Sequence, residues 1–178
     1  MSERIGGWIQ TNQGVAFYPL DPRPEEILII DIAKSLSMQC RYAGHCEEFY
    51  SVAEHCCLMH DAIEDEFKAQ ALMHDSSEAY LVDLPRPIKA MLPDYKAIEA
   101  NLEKAIFAKF KIPYPFHPRV KEFDNRILMD EKEQNVTIGP DWGWSEEPLG
   151  VILRFWEPDE AMYQFMLRYH KTVAPLLK

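Results

Sequence analysis

Apolar and polar positions along the chain alternate at two different periods, and the change falls near residue 25. Before it, Trp8 and Ile9 form one short apolar piece and Val15, Ala16, Phe17 and Tyr18 another. Asn12-Gln13-Gly14 between them is a turn signal, so residues 5–18 predict a small β-hairpin. After it, the spacing becomes helical. A first helix is predicted from Glu25 to about Ser37, with Ile29, Ile32, Ala33 and Leu36 inward. Residues 40–50 read as a loop carrying Arg41, Tyr42, Gly44 and His45. The second helix begins at a capping box, Ser51-Val-Ala-Glu54, and buries Val52, Cys56, Met59 and Ile63, with His55 beside that stripe.

A third helix is expected over Glu66–Leu81. The following DLPRPIK segment contains two prolines and cannot continue it as regular helix. A fourth helix runs from about Asp94 to Lys111, with Ile98, Leu102, Ala105, Ile106 and Phe110 inward. A fifth starts near Pro118, a favourable first-turn residue, and directs Val120, Phe123, Asp124, Ile127, Leu128 and Glu131 inward. Residues 139–148, with Trp142 and Trp144, read as a long loop, and a last helix starts near Pro158 with Met162, Phe165, Met166 and Tyr169 inward. The expected fold is therefore mostly α, a helical bundle with a minor N-terminal β-hairpin. One domain spans 1–178: a hairpin and loop over 1–23, a helical core over 25–135, and a loop with a C-terminal helix over 136–178.

Polar residues inside apolar stripes carry the chemistry. Asp124 lies in the middle of the fifth helix's stripe, and His74 and Asp75 interrupt the apolar run of the third. An unpaired buried charge costs several kcal/mol, so each needs a partner or a cation. His55 or His74 alone is the pattern of an ordinary core histidine, and Asp124 alone that of a structural salt bridge. Together, two imidazoles and two carboxylates from three helices form a plausible shell for a divalent transition metal such as Zn, Mn, Co or Fe. Glu78 lies beside that face without being needed as a ligand, which suits an acid or base. Asp83 follows at the helix exit. Arg41 and Lys89 are candidate phosphate contacts, a fork and a point charge respectively. His60 is five residues after His55 and turned away from it. His117 and His170 read as surface residues, and His45 lies in the loop that would roof the site.

Composition narrows the classes. The chain has 178 residues, 47% hydrophobic, with a net charge of −10. That charge argues against a general affinity for nucleic-acid backbones, but a bound metal and a few local cations can reverse the field inside a pocket. No apolar run reaches the roughly 20 residues that span a bilayer, and MSERIGGW lacks the apolar core of a secretory signal. A soluble, cytoplasmic protein without membrane partners is expected. Cys40, Cys46, Cys56 and Cys57 form no CxxC pair, so they read as reduced thiols rather than a zinc knuckle.

His55, then His74-Asp75, then Asp124 resembles the H…HD…D signature of HD-domain metal-dependent phosphohydrolases. The longer pieces RYAG at 41–44, YSVAEH at 50–55 and HDSSEAYLVDLPRPIK at 74–89 resemble the small members that act on deoxynucleotides, the bacterial 5′-deoxynucleotidases and the phage dATP triphosphohydrolases. The match covers roughly residues 31–131. The resemblance implies an HD-domain helical bundle in which His55, His74, Asp75 and Asp124 bind a divalent Co, Zn, Mn or Mg ion. It implies that Glu78 assists the attacking water or protonates the leaving oxygen, that Arg41 and Lys89 contact phosphate, and that Asp83 faces the sugar. Related enzymes have a tryptophan after the arginine, packed on the deoxyribose; here that position is Tyr42. The implied reaction is hydrolysis of the 5′-phosphate ester of a deoxynucleotide, releasing nucleoside plus phosphate or triphosphate, with dATP, dADP or dAMP preferred. The partner would be a small nucleotide, the setting the cytoplasm of a bacterium or a phage-infected host, and the assembly a homo-oligomer. Alternatives are a 5′-deoxynucleotidase of broad dNMP specificity, an HD phosphodiesterase or alarmone hydrolase, and a catalytically silent HD binding module. A cysteine hydrolase pairing Cys56 or Cys57 with His60 has only proximity in its favour.

Overall fold

The computed structural model describes residues 3–178. The N-terminal hairpin forms with β1 (Ile9–Gln10) antiparallel to β2 (Ala16–Phe17), Ile9 opposite Phe17. Gly14 takes φ +80, which its lack of a Cβ permits, and donates to the Thr11 carbonyl at 3.0 Å. The hairpin is tied down by one buried carboxylate: Asp31 Oδ1 accepts from the Gln13 N–H at 2.8 Å.

The first helix starts later than its apolar spacing predicts. Pro24–Glu26 is a single 3₁₀ turn, Ile27 is extended and fully buried, and α1 spans Ile29–Met38. Keeping Ile27 extended sends its side chain into the core, which a helix continued from Glu25 would not do. The central element is α2 (Val52–Ala62). Every residue from Val52 to His60 is buried, not only the expected stripe. The cause is position: Val52, Ala53, Cys56 and Cys57 join the larger core with α1, Leu102, Ile106, Phe165 and Tyr169, while Leu58 and Met59 join a second core with Val120, Phe123 and Ile127.

Half of the expected capping box forms. Ser51 Oγ accepts from the Glu54 N–H at 3.1 Å. The Glu54 carboxylate does not reach back to the cap. It accepts instead from the backbone N–H groups of Arg154, Phe155 and Trp156 at 2.6, 3.0 and 2.7 Å. Asp130 treats the same strand of chain alike, accepting from Leu149, Gly150 and Val151 at 2.7 to 3.0 Å. The stretch 149–156, which has no regular structure of its own, is thus pinned along its length by two carboxylates.

The single helix expected over Glu66–Leu81 is broken. Asp65–Phe67 is a 3₁₀ turn, α3 spans Lys68–Met73, residues 74–77 form tight turns, and α4 spans Glu78–Leu81. Beyond it, α5 (Arg86–Ala90) forms where prolines argued against regular helix; Pro87 lies in its first turn, where no N–H is required. Then follow α6 (Pro93–Phe110), α7 (Pro118–Asn135) and α8 (Pro158–Thr172). Among the described residues the architecture is mostly helical with one two-stranded sheet, as the patterning predicts. No helix among the described residues is long and apolar enough to cross a membrane.

Candidate metal centre

Three elements converge at one end of α2. His55 comes from α2, His74 and Asp75 from the break after α3, and Asp124 from α7. The break itself explains how two consecutive residues face one point. A regular helix would splay them by about 100°. Here the hydrogen bonds tighten to a three-residue step, Ser76 N–H to the Met73 carbonyl (3.1 Å) and Glu78 N–H to Asp75 (3.0 Å). His74 Nε2 and Asp75 Oδ2 end 3.2 Å apart.

His55 Nε2 lies 3.3 Å from His74 Nε2, 3.4 Å from Asp124 Oδ1 and 3.8 Å from Asp75 Oδ2, and His74 Nε2 lies 3.9 Å from Asp124 Oδ1. With metal–ligand bonds of about 2.0–2.2 Å, neighbouring ligands of a tetrahedral ion stand about 3.3–3.6 Å apart. The observed separations bracket that value. His55, His74 and Asp75 form a group that could hold a metal ion, and Asp124 closes on it from α7.

The far sides of these groups are committed elsewhere. His55 Nδ1 faces Glu131 Oε1 at 2.6 Å, and His74 Nδ1 faces the Ala71 carbonyl at 2.8 Å. Both acceptors require a proton on Nδ1, which leaves each Nε2 to face the cluster as a lone pair when the ring is neutral. Asp124 Oδ2 accepts from Arg86 (3.1 Å) and Lys121 (2.6 Å), which directs Oδ1 to the histidines. Two neutral imidazole nitrogens and two carboxylates aimed at one another have no donor between them, and a cation supplies what they lack. Without one, burial works against the charged forms, but the imidazoles hold the Asp124 and Asp75 carboxylates well below the usual range, and Asp75 raises the His74 imidazole.

Glu131 was recognisable from the sequence only as an inward residue. It is two helical turns beyond Asp124 on the same face, fully buried, and supports His55, Arg41 and Tyr42 together. Burial alone would raise its carboxyl, but Arg41 and His55 bring it down to about 2. Arg41, expected at the phosphate, is buried between two carboxylates: Glu131 at 3.2 Å and Asp75 at 3.7 Å. The Tyr42 hydroxyl also donates to Glu131, from a residue with φ +58. Such left-handed backbone at a non-glycine residue persists where its surroundings over-determine it.

Glu78 lies one turn past Asp75, buried, with Oε2 lacking a partner. Burial first, and then the charges of Asp75 and Asp83, raise its carboxyl well above the usual range. Asp83, at the exit of α4, is raised by burial and held back by Arg41. It follows Val82, whose φ of +73 is unusual for a β-branched residue. Lys89 pairs with Glu99 of α6 at 2.5 Å. His74, Asp75, Ser77, Lys89, Lys121 and Asp124 line one cleft of about 140 Å³ together with Glu99, Glu103, Phe116 and Val120. Glu99 and Lys121 were not singled out by spacing; a glutamate on the buried face of α6 was the signal available for the first.

His60 is buried and faces Asp61, and His117 and His170 are exposed. Burial pushes the Cys56 thiol up to about 12, which leaves it a poor nucleophile. Each loop tryptophan meets a residue that is bonded into the centre: Trp142 is 5.9 Å from the Tyr42 ring, and Arg86 lies 5.2 Å from the Trp144 ring.

No protein-family model matches the chain. It is 42% identical over 125 residues, 70% of each chain, to the uncharacterized protein YfdR of Escherichia coli strain K12. The chain belongs to the YfdR family. An uncharacterized protein of Rhodobacter capsulatus is 28% identical to it over 196 residues, 95% of this chain and 97% of the other.

Proposed function

We propose that this YfdR-family chain is an HD-type, metal-dependent phosphohydrolase that cleaves the 5′-phosphate ester of a nucleotide, with deoxynucleotides its substrates. The observation that carries the reading is the convergence of His55 Nε2, His74 Nε2, Asp75 Oδ2 and Asp124 Oδ1, with both Nδ1 atoms committed to acceptors behind them. A divalent ion held there would lower the pKa of a water and polarise a phosphoryl oxygen.

The chain's own residues supply the rest. Lys89 and Lys121 border the cleft beside the cluster and offset phosphate charge. Glu78, its carboxyl raised by burial, is the group suited to deliver a proton to the leaving oxygen on the nucleoside side. Arg41 acts through its neighbours, holding Asp75 and Glu131 in place and neutralising them.

A panel of dNMPs, NMPs, dNTPs and ppGpp, assayed for phosphate and triphosphate with added Mn²⁺, Co²⁺ or Zn²⁺, tests this. Phosphate release from 5′-dNMPs, or triphosphate release from dNTPs, that is lost in His74→Ala is the expected result. Turnover confined to ppGpp or a cyclic nucleotide, or none with any substrate and metal, would overturn it.

A further inference from the structure

Two of the four cysteines meet outside the metal centre. Cys40 and Cys46 flank the Arg41–Gly44 turn, and their sulfurs are 3.5 Å apart. Both are free thiols and half-buried, whereas Cys56 and Cys57 are sealed in the core of α2. The approach is built by the backbone. Tyr42, Ala43 and Gly44 take φ of +58, +52 and +78 in succession and fold the chain back, and the His45 N–H closes the turn on the Tyr42 carbonyl at 2.9 Å. Each arm of the turn is anchored. Cys40 is bridged to Ser51 through Arg41 N–H to the Tyr50 carbonyl (2.9 Å) and Val52 N–H to the Gln39 carbonyl (3.1 Å). On the other arm, the Glu47 N–H donates to the Asn135 carbonyl at 3.0 Å.

A disulfide needs its sulfurs about 2.05 Å apart, so closure is a movement of about 1.5 Å, within reach of side-chain rotation. We propose that Cys40 and Cys46 form a reversible dithiol–disulfide site that reacts with low-molecular-weight disulfides. The Cys46 thiol is pushed up to about 11 by burial and by its contact with Cys40, so it keeps its proton and Cys40 attacks first. The Cys40 sulfur bonds to one sulfur of the small disulfide, whose S–S bond breaks, and the first small thiol leaves with the electron pair and takes up a proton. The Cys46 sulfur then bonds to Cys40, expelling the second small thiol with the other proton. Two protein thiols are oxidised and one small disulfide is reduced to two thiols. Arg41 and Tyr42 lie inside the ring so closed, which fixes the turn that presents them to Glu131. The site stands whether or not the chain is a phosphohydrolase.

The test is to equilibrate the native protein with oxidised glutathione, alkylate the remaining thiols and digest with trypsin. Cleavage after Lys34, Arg41 and Lys68 puts Cys40 in peptide 35–41 and Cys46 in peptide 42–68. Expected are an intact mass lower by about 2 Da, a cross-link between these peptides placed on Cys46 by fragmentation, and its loss with dithiothreitol. Cys46→Ser should instead accumulate a stable glutathione adduct on Cys40. The proposal fails if both thiols stay alkylatable at every redox ratio, if wild type accumulates the adduct without cross-linking, or if the bond goes to Cys56 or Cys57.

Discussion

His55 owes its part in the cluster to one carboxylate behind it. Glu131, 2.6 Å from Nδ1, decides which nitrogen keeps the proton. Glu131→Gln should weaken metal binding about 10- to 100-fold, read by competition with a chelator, while His55, His74, Asp75 and Asp124 stay in place. Glu78→Gln separates binding from chemistry: metal affinity should be unchanged and kcat fall by about 10²- to 10⁴-fold. Glu103, which lines the same cleft as the ligands without being one of them, gives a pH signature. Burial, and then Glu99, raise its carboxyl to about 7 from an ordinary 4.5. Between those values the folded chain holds a proton that the unfolded chain has released, so this contribution is intact below about 4.5 and is lost as pH rises through 7. Glu103→Gln should therefore gain on wild type by about 1–2 kcal/mol between pH 5 and pH 8, measured by urea unfolding at several pH values.

At this scale the sequence was informative where a polar residue broke an apolar stripe. His74, Asp75 and Asp124 stood out for that reason, and the structure brings them to His55. The partnership of Arg41 with Glu131 was not legible. It joins residues 90 apart, and an arginine that neutralises a buried carboxylate has the same local signature as one that grips a phosphate.

Between residues and the molecule stand the helix breaks. Periodicity predicts one helix over Glu66–Leu81 because the apolar spacing persists through it. The tightening at 74–77, which aims two adjacent side chains at one point, changes no apolar residue's face enough to show in the pattern. The glutamate half of the capping box at Ser51 departs from expectation in a comparable way: a glutamate at the third helical position has two possible sets of donors, and the three N–H groups of 154–156 win over one. Glu54→Ala leaves those buried donors without an acceptor and should cost about 3 kcal/mol or more, with faster amide exchange across 149–156 as the sign that the strap has come loose.

For the whole molecule, the helical class, the hairpin and the bounds of the long helices α6 and α7 follow from patterning, because each of those helices buries one face. α2 differs, being enclosed by two cores and buried along nine consecutive residues. That enclosure gives His55 a rigid base and links the centre to global stability. A bound cation would cross-connect α2, the 74–77 turns and α7, so added Mn²⁺ or Zn²⁺ should raise the thermal midpoint in a concentration-dependent way and a chelator should reverse it.

Metal content is the most direct measurement of the centre. After reconstitution and desalting, elemental analysis of wild type should give about one transition-metal ion per chain, and His74→Ala and Asp124→Ala should each lose it while keeping the wild-type circular dichroism spectrum. Equal metal in wild type and in both variants, or none in wild type, would contradict a centre built from His55, His74, Asp75 and Asp124.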